Sequence, residues 1–479
     1  MAELQDLVVI GGGSGGFAAA MRAAQLGGKV TIVEEVHYGG NCMNKACIPL
    51  TFLATAGRLM GAIHNAAYFG IRVGEPQLDV DALHDRKNLI IESLALGTEE
   101  QLADYGATLV EGRGKLVTGD TVEVNGQRIR ARNVVIATGS ISAPLPIEGS
   151  DLPGVLSTEE AINLREIPPR IAIVGNEPWD IELAQYYNWM GSQVTLIAGS
   201  RQLLPEADRD ISRRLAKLLH DDSIGIERDV DVEAIRRGDD GTLTVTLSDG
   251  KAEITVDKVL AARRFPNSTG LGLRALGVEM KRGAASLPST LGGAAPLPFT
   301  LAGAVLVNER MQTNVPHIYA IGDVTPGSMW SHKANAEGIV AGENVMGVTS
   351  AMEYGALPHC LHTWPEIAWV GLTEDEAKDR GIEVDVGKVP VAINPRAMIG
   401  DQTAGALKIV AGKRYGKILG VHMMAPGALD LINVATVAML SEATVDELMR
   451  FIPAHPSIGE AMVDAAMDVQ KRSLHLPKW

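Results

Sequence analysis

Two cysteines separated by four residues, Cys42 and Cys47, are the side chains whose type and spacing point most directly to chemistry. In a regular helix, residues five apart have Cα atoms about 8 to 9 Å from each other, whereas a disulfide spans about 4.4 to 6.8 Å. A bond between the two sulfurs therefore requires a distorted turn, which the flanking Gly39, Gly40 and Pro49 allow. A bridge over so short a loop is strained and easily reduced. We interpret the pair as a redox dithiol; the alternatives are a metal site or two inert thiols.

The third cysteine, Cys360, has His359 and His362 as neighbours in sequence. A structural zinc site needs four ligands at matching spacing, and these three residues form only a loose candidate. A lone cysteine is more often a small buried apolar side chain. We therefore predict no metal site and assign Cys360 no role.

Composition sets the class of protein. The chain has 479 residues, 46% hydrophobic and 21% charged, which is typical of about three folded domains. The net charge of −15 opposes binding to nucleic acid or anionic membranes. Because only three cysteines are present and the start, MAELQDLVVIGGG, lacks the apolar core of an export signal, we predict a cytoplasmic protein with no membrane span.

A glycine-rich turn follows the first predicted strand and precedes an alanine-rich helix. Gly11, Gly13 and Gly16 have the spacing of a dinucleotide-binding turn, and Glu34 ends the next predicted strand. Glycine at these places permits the tight turn, the approach of backbone to a pyrophosphate, and close packing of helix on strand. Glu34 is suited to accept hydrogen bonds from ribose hydroxyls.

The same alternation recurs near residue 170, where IAIVG, IELAQYYNWMG and QVTLIA predict a second strand–helix–strand unit. From about Ala351 several strands are followed by helices, which is typical of an α+β domain. The sequence therefore predicts an α/β fold, with two Rossmann-like dinucleotide-binding domains and a C-terminal α+β domain.

Several segments resemble the flavoprotein disulfide reductase family, the class I pyridine nucleotide-disulfide oxidoreductases. The segment GGNCMNKACIP is similar to that family's active-site disulfide. Val134–Ser140 and the segment IYAIGD are similar to its flavin-domain signatures, Pro365–Glu374 to the start of its dimer-interface domain, and Ala454–Glu460 to its catalytic histidine segment. The motifs look most like the dihydrolipoamide dehydrogenase subfamily.

The resemblance implies FAD as cofactor and a homodimer as the active form. It also implies four domain ranges: an FAD-binding domain (1–148), an NAD-type domain with a degenerate phosphate turn (149–267), the second part of the FAD domain (268–348), and a dimer-interface domain (349–479). The residues implied for FAD binding are Gly11, Gly13, Gly16, Glu34, Gly139 and Asp323.

The implied chemistry is carried by four residues. Cys47 is expected to face the flavin as a thiolate, and Cys42 to exchange with the substrate. His455 is expected to move the substrate's proton, and Glu460 to orient that imidazole. By itself, a His-Pro pair in this region would more often be a turn.

The second dinucleotide turn departs from the family pattern, because only Gly175 of its three glycines is present. Glu177 and Asp180 occupy the other two places, where they would obstruct and repel a pyrophosphate. Ala198 replaces the acid that usually binds the ribose of NAD. Use of NAD is therefore doubtful; the alternative is that neighbouring loops keep weak affinity.

Two further departures concern the flavin and the surface. The family has a lysine at the place of Thr51, paired beside the flavin with the residue corresponding to Glu182. Without that cation we expect Glu182 to be less stabilised as an anion and the flavin to be harder to reduce.

A proline- and glycine-rich insertion at about 281–304 is long for a connection and has no assigned role.

These features together predict an FAD-dependent dithiol–disulfide oxidoreductase that acts on protein-bound lipoyl groups or on a small dithiol or disulfide. One alternative is a reductase of another small disulfide or of a metal ion. The other is a flavin-loaded subunit that binds a lipoyl protein without catalysis.

Overall fold

The computed structural model describes residues 3–250, 253–281 and 303–476. The predicted insertion at about 281–304 falls almost entirely outside the described residues.

The elements are numbered in chain order. The strands are β1 (Gln5–Ile10), β2 (Val30–Glu34), β3 (Thr108–Glu111), β4 (Lys115–Thr118), β5 (Thr121–Val124), β6 (Gln127–Ile136), β7 (Ser140–Pro144), β8 (Val155–Leu156), β9 (Arg170–Val174), β10 (Gln193–Ala198), β11 (Gly225–Arg228), β12 (Val232–Arg237), β13 (Leu243–Leu247), β14 (Glu253–Val256), β15 (Lys258–Leu260), β16 (Ala262–Pro266), β17 (Met280–Lys281), β18 (Ala304–Val305), β19 (Ile318–Ala320), β20 (Pro358–Leu361), β21 (Glu366–Gly371), β22 (Val384–Pro390), β23 (Ala406–Gly412) and β24 (Ile418–Ala425). The α-helices are α1 (Ser14–Gln25), α2 (Gly40–Asn44), α3 (Cys47–His64), α4 (Val80–Asp104), α5 (Thr158–Asn163), α6 (Pro178–Trp189), α7 (Arg209–Asp221), α8 (Ser331–Val345), α9 (Glu374–Asp379), α10 (Pro395–Ile399), α11 (Ala428–Leu440), α12 (Val445–Arg450) and α13 (Gly459–Val469). Short 3₁₀ helices cover Ala66–Phe69, Leu273–Leu276, Gly322–Val324 and Val391–Ile393.

The chain divides into two compact units. The first unit contains Met1–Phe52, Asp79–Glu166 and Ala261–Glu353. The second unit contains Leu53–Leu78, Ile167–Leu260 and Tyr354–Trp479, so α3 contributes to both. The four domain ranges inferred from the sequence remain a prediction.

The first unit is built on a parallel sheet with the strand order β3-β2-β1-β6-β19, extended by the β4–β5 hairpin, which pairs with the beginning of β6. Within it, Val8 pairs with Thr31 on β2 and with Val134 on β6. Residues Leu7 to Val9 of β1 are fully buried, as expected for a parallel strand covered on both faces. The predicted strand–turn–helix–strand arrangement at the start of the chain is confirmed.

Helix α8 packs closely on α1 in the first unit because both helices carry small residues where they meet. A Cβ atom at Gly338 would lie 2.3 Å from the backbone oxygen of Gly15, and one at Gly342 would lie 2.8 Å from that of Ala19. The close approach fixes the glycine turn before α1 relative to the start of α8.

The second unit contains parallel strands in the order β11-β10-β9-β15, a three-stranded antiparallel sheet β12-β13-β14, and an antiparallel sheet β20-β21-β24-β23-β22. Helices α11 and α13 bury apolar side chains on the last of these, including Ile432 and Met462. The predicted second strand–helix–strand unit and the α+β segment are both confirmed. Helix α9 begins with a capping box, since Thr373 Oγ1 accepts from the backbone nitrogen of Glu376 and that residue's carboxylate accepts from the backbone nitrogen of Thr373.

Among the described residues, one helical stretch, Gly40–His64, has the length and the mean hydropathy (1.5) of a membrane-crossing segment. Core helices of soluble proteins meet the same criterion, so this finding by itself is weak evidence for a membrane span.

Candidate functional site

The first glycine turn has the close contacts that its spacing predicts. Gly11 has a φ of +109°, and a Cβ atom there would lie 2.3 Å from the backbone oxygen of Ala137. A Cβ atom at Gly16 would lie 1.9 Å from the backbone oxygen of Gly11. At Gly13, by contrast, the nearest such atom is the Cα of Gly40 at 3.6 Å. Two of the glycines thus permit close packing, while Gly13 leaves room on the exposed side of the turn.

Helix α1 begins at this turn with its backbone N–H groups open to a ligand. Gly13 precedes the helix with no side-chain capping bond, and the first turn contains no acidic residue. Glu34, at the end of β2, accepts a hydrogen bond from the backbone nitrogen of Gly12 at 2.6 Å and borders a pocket that Thr138 and Asn267 also line. Because a helix N-terminus attracts phosphate groups and a carboxylate binds ribose, these residues fit a dinucleotide such as FAD.

A hydrogen-bond network joins the predicted cofactor residue Asp323 to the segment that carries the cysteines. Ser140 Oγ donates to Asp323 Oδ2 at 2.7 Å, and Asn41 Nδ2 donates to the backbone oxygen of Ser140 at 2.6 Å. Gly139, between these parts, has a φ of +66° and open space at its Cβ position. The structure therefore brings Gly139 and Asp323 to the same end of the first sheet.

The turn that contains Asp323 is fixed by a buried ion pair in α8. Lys333 Nζ lies 3.0 Å from Glu337 Oε1, and both side chains are at most 3% exposed. The other oxygen of Glu337 accepts from the backbone nitrogen of Gly322 at 2.7 Å. Sequence analysis missed this pair, although two opposite charges four residues apart in an apolar helix are a signal for it.

The helix that carries the cysteines is interrupted between them. Helix α2 ends at Asn44 and α3 begins at Cys47, and the intervening Lys45 has a φ of −133°. The predicted distortion is therefore confirmed. The structure holds Cys42 and Cys47 as two thiols, both partly buried in the first unit.

Local hydrogen bonds favour ionisation of Cys42. A hydrogen bond from the thiol of Cys47 lowers the pKa of Cys42 to about 7, and bonds from the hydroxyls of Ser331 and Ser14 act in the same direction against burial. Cys47 is the first residue of α3, where the helix dipole favours a negative charge. The pair can therefore supply a thiolate at neutral pH, as thiol–disulfide exchange requires.

His455 and Glu460 form the pair predicted from the sequence. His455 Nδ1 lies 2.8 Å from Glu460 Oε1, and the other carboxylate oxygen accepts from the backbone nitrogen of Ser457 at 2.9 Å. The hydrogen bond with His455 lowers the pKa of Glu460, so the carboxylate is ionised at neutral pH. The imidazole is 72% exposed in the single chain, which leaves its other nitrogen accessible. This arrangement can accept and release a proton.

The second glycine turn differs from the first at its helix N-terminus. The buried carboxylate of Asp180 accepts a hydrogen bond from the backbone nitrogen of Glu177 at 3.0 Å. A Cβ atom at Gly175 would lie 2.0 Å from Asp180 Oδ2, so the remaining glycine makes room for this carboxylate. Helix α6 thus starts with a negative side chain where α1 has open N–H groups.

The segment that follows β10 packs against the second glycine turn. Ala198, at the end of β10, is fully buried. Asn176 Nδ2 donates to Ser200 Oγ at 2.6 Å and to the backbone oxygen of Gln202 at 3.1 Å, and Asn176 Oδ1 accepts from the backbone nitrogen of Leu204 at 2.8 Å. These bonds hold residues 200–204 against the turn in place of a ribose-binding acid.

Sequence analysis also missed the partner of Glu182. His362 donates to Glu182 Oε1 from its backbone nitrogen at 2.7 Å, and its ring Nδ1 lies 3.3 Å from the same oxygen.

The other two residues of the loose metal candidate have other surroundings: His359 stacks on Trp369, and burial raises the pKa of the Cys360 thiol to about 12. Among the residues that the structure describes, no group of three His, Cys, Asp or Glu side chains is arranged to hold a metal ion.

The predicted site residues fall into two groups. The cysteines and the residues expected to bind FAD belong to the first unit. His455, Glu460 and the second glycine turn belong to the second unit.

Comparisons with known proteins show to which family the chain belongs. The model described as "Pyridine nucleotide-disulphide oxidoreductase" matches residues 5–338, and the dimerisation-domain model of the same family matches residues 357–466. Mitochondrial dihydrolipoyl dehydrogenase of Pisum sativum is 35% identical over 98% of this chain and 92% of its own length. Leghemoglobin reductase of Glycine max is 35% identical over 99% of this chain and 89% of its own.

A solved structure agrees with these matches. The Cu(II) complex of the HOCl-induced flavoprotein disulfide reductase RclA from Escherichia coli has a TM-score of 0.84 and 25% sequence identity, over 98% of this chain and 100% of its own. The chain is accordingly an oxidoreductase whose cofactor is FAD and which has a C-terminal dimerisation domain. It belongs to the pyridine nucleotide-disulphide oxidoreductase family.

Proposed function

We propose that the chain is an FAD-dependent oxidoreductase that acts on dithiol and disulfide forms of protein-bound lipoyl groups. The observation that carries the proposal is the contact of Cys42 and Cys47 across an interrupted helix, with hydroxyls of the first unit favouring ionisation of Cys42. The similarity to dihydrolipoyl dehydrogenases supports the lipoyl substrate. FAD, when bound, supplies a two-electron acceptor for the dithiol.

The cysteines act by disulfide exchange. In the oxidising direction, a thiolate of the dihydrolipoyl group attacks Sγ of Cys42, the Cys42–Cys47 bond breaks, and Cys47 leaves as a thiolate at the N-terminus of α3. The second substrate thiolate then attacks the mixed disulfide, releasing Cys42 and forming the cyclic lipoyl disulfide. One electron pair has passed from the substrate to the two cysteines.

His455 takes the proton that the substrate thiol must lose before it attacks. Glu460 orients the imidazole through the 2.8 Å contact. We propose a homodimer in which the exposed His455 serves the cysteine pair of the second subunit; the matched dimerisation domain supports this.

Anaerobic mixing with dihydrolipoamide tests the function. We expect a long-wavelength charge-transfer band from the Cys47 thiolate after uptake of one electron pair, and loss of flavin absorbance when a second pair is supplied by excess dihydrolipoamide. Cys42→Ser should abolish reduction by dithiol while leaving bound flavin, and His455→Gln should slow it by about 100-fold or more. Absence of reduction by dihydrolipoamide, together with reduction by glutathione, would assign another disulfide substrate; no reduction by either would favour a binding subunit.

We also propose that nicotinamide is not the ordinary electron partner of this protein. The carboxylate of Asp180 at the start of α6 and the buried Ala198 support this, because a pyrophosphate and a ribose would meet a negative charge and no acceptor. Titration of the oxidised protein with NAD⁺ and of the reduced protein with NADH should show weak binding. Micromolar affinity for either would contradict the proposal.

The cytoplasmic location remains part of the proposal. A dithiol that cycles through a reactive thiolate operates where the compartment is reducing. Fractionation of the native host cell, with the flavin absorbance followed across fractions, tests it.

A further inference from the structure

Two serine hydroxyls of the first unit lie against the sulfur of Cys42. Ser14 is the first residue of α1, and Ser331 is the first residue of α8. Their Oγ atoms are 2.6 Å apart, and both hydroxyls form a hydrogen bond with the Cys42 side chain. The two serines are separated by 317 residues, so the packing of the two helices is what brings them to one cysteine.

Backbone contacts between α1 and α8 keep the two hydroxyls together. A Cβ atom at Gly15 would lie 2.9 Å from the backbone oxygen of Ala334, and one at Gly338 would lie 2.3 Å from the backbone oxygen of Gly15. The first of these contacts is next to Ser14 and within one helical turn of Ser331. The position of the hydroxyls is therefore set by helix packing and not by the charge of the sulfur.

The two hydroxyls have two hydrogen atoms for three contacts. An O···O distance of 2.6 Å is that of a hydrogen bond, so one hydrogen lies between the two oxygens. One hydrogen then remains for the sulfur, and either serine can supply it. When Cys42 is a thiolate, one serine donates to the other, and the second serine donates to Sγ. Such a chain is polarised along its length, which strengthens the bond to the sulfur.

The other groups that face Cys42 act in both directions. The thiol of Cys47 makes the largest contribution to the lowered pKa of Cys42, and the two hydroxyls add to it. Burial and the negative charge of Asp323 raise that pKa. Neither α1 nor α8 has an acidic residue in its first turn, so both helix N-termini favour a negative charge nearby.

We propose that the hydroxyls of Ser14 and Ser331 form a chain of donors that stabilises Sγ of Cys42 when this sulfur leaves the mixed disulfide with the substrate. The inference rests on the proposed function and adds two catalytic residues to it, since the hydroxyls touch a reacting atom. In this step the second substrate thiolate bonds to the first substrate sulfur, the bond from that sulfur to Cys42 breaks, and Sγ keeps the electron pair.

The hydroxyls matter most at this step because of the state of Cys47. In the proposed reaction Cys47 has already left as a thiolate, so it has no hydrogen to donate to the second leaving sulfur. The serine hydroxyls keep theirs. A sulfur that is better stabilised as a thiolate leaves a disulfide faster, so we expect the chain to speed the release of Cys42.

The first test follows the alkylation of Cys42 against pH in the reduced holoenzyme. Ser14→Ala and Ser331→Ala should each raise the inflection by less than about one pH unit, because the other serine still donates to the sulfur. The double variant loses both possible donors and should raise it by more than the sum of the two single shifts. Ser93→Ala, an exposed serine on α4, is the control and should leave the inflection unchanged. Shifts that simply add, or no shift in the double variant, would overturn the chain.

The second test measures the release step itself. Oxidised holoenzyme is mixed with dithiothreitol, a dithiol whose ring closure frees Cys42 from a mixed disulfide in the same way. Acid quenching and peptide mass analysis follow the adduct on Cys42, which should disappear at least about threefold more slowly in the double variant than in the wild type. Equal rates would overturn the proposal. Neither test needs a lipoyl substrate, so a failure of dihydrolipoamide to react would count against the proposed function alone.

Discussion

The backbone nitrogen of Glu177 donates to the carboxylate of Asp180 at 3.0 Å, so α6 begins with an anion of its own chain. Helix α1, which follows the first glycine turn, begins without a side-chain cap or an acidic residue. Two copies of one supersecondary motif therefore present opposite charges to a dinucleotide. The contrast supports the proposal that FAD binds at the first turn, and it predicts that nicotinamide binding is lost at the second.

Restoring glycine at the second turn should restore nicotinamide binding. In the double variant Glu177→Gly, Asp180→Gly, the N-terminus of α6 is open and no carboxylate repels the pyrophosphate, so we expect affinity for NADH to rise at least about tenfold. Fluorescence titration of the reduced protein measures this. Asp180→Asn, which removes the charge but keeps the size, is the control and should show a smaller gain; equal affinity in all three proteins would show that the turn does not limit binding.

Reactivity of Cys42 in the reduced protein should rise through neutral pH. Its pKa is lowered to about 7, so the thiolate predominates above that pH and the protonated thiol below it. Alkylation by iodoacetamide, followed by peptide mass analysis, should therefore show an inflection near pH 7. Ser331→Ala removes a hydrogen bond to the thiolate and should move the inflection upward by up to about one pH unit. Ser441→Ala, an exposed serine of the second unit, should not move it.

Breaking the buried pair of α8 should destabilise the first unit. Lys333→Met removes the cation that lies 3.0 Å from the fully buried carboxylate of Glu337, which costs about 3 to 5 kcal/mol. The loss is measurable as a lower urea midpoint and as release of flavin. Lys217→Met removes an exposed pair with the same i,i+4 spacing, so it should have little effect. Equal midpoints for the two variants would contradict the structural role of Lys333.

Alanine at two glycines of the first turn should have different consequences. Gly16→Ala places a Cβ atom 1.9 Å from the backbone oxygen of Gly11, so the turn must move and we expect poor folding. Gly13→Ala meets no atom closer than 3.6 Å and should fold, but the added methyl group should weaken retention of FAD. Thermal unfolding and the flavin-to-protein absorbance ratio separate the two effects. Full flavin content in Gly13→Ala would show that the cofactor does not approach this backbone.

Local patterns in the sequence predicted the elements that depend on neighbouring residues. The glycines of the first turn and the break in the helix between Cys42 and Cys47 both follow from steric requirements within a few residues. The contact of His455 with Glu460 is of the same kind, because five residues separate them. The structure confirms each of these local predictions.

Partners distant in sequence could not be predicted in this way. Glu182 and His362 are separated by 180 residues, and Ser140 and Asp323 by 183, so only the packing of their elements brings them together. The sequence showed that the family's lysine is absent at Thr51. It gave no sign that His362, in the segment after β20, would contact Glu182.

By itself, the sequence determined the class of fold, the close spacing of the two cysteines and the family, since those depend on short motifs whose chemistry is local. The tertiary structure alone decided which charges neighbour which carboxylates: it paired Glu182 with an ionisable ring, turned Asp180 back onto its own helix, and placed two serines beside Cys42. The physical reason is that burial and charge act through space over a few ångströms, and such proximity arises only when distant segments fold together.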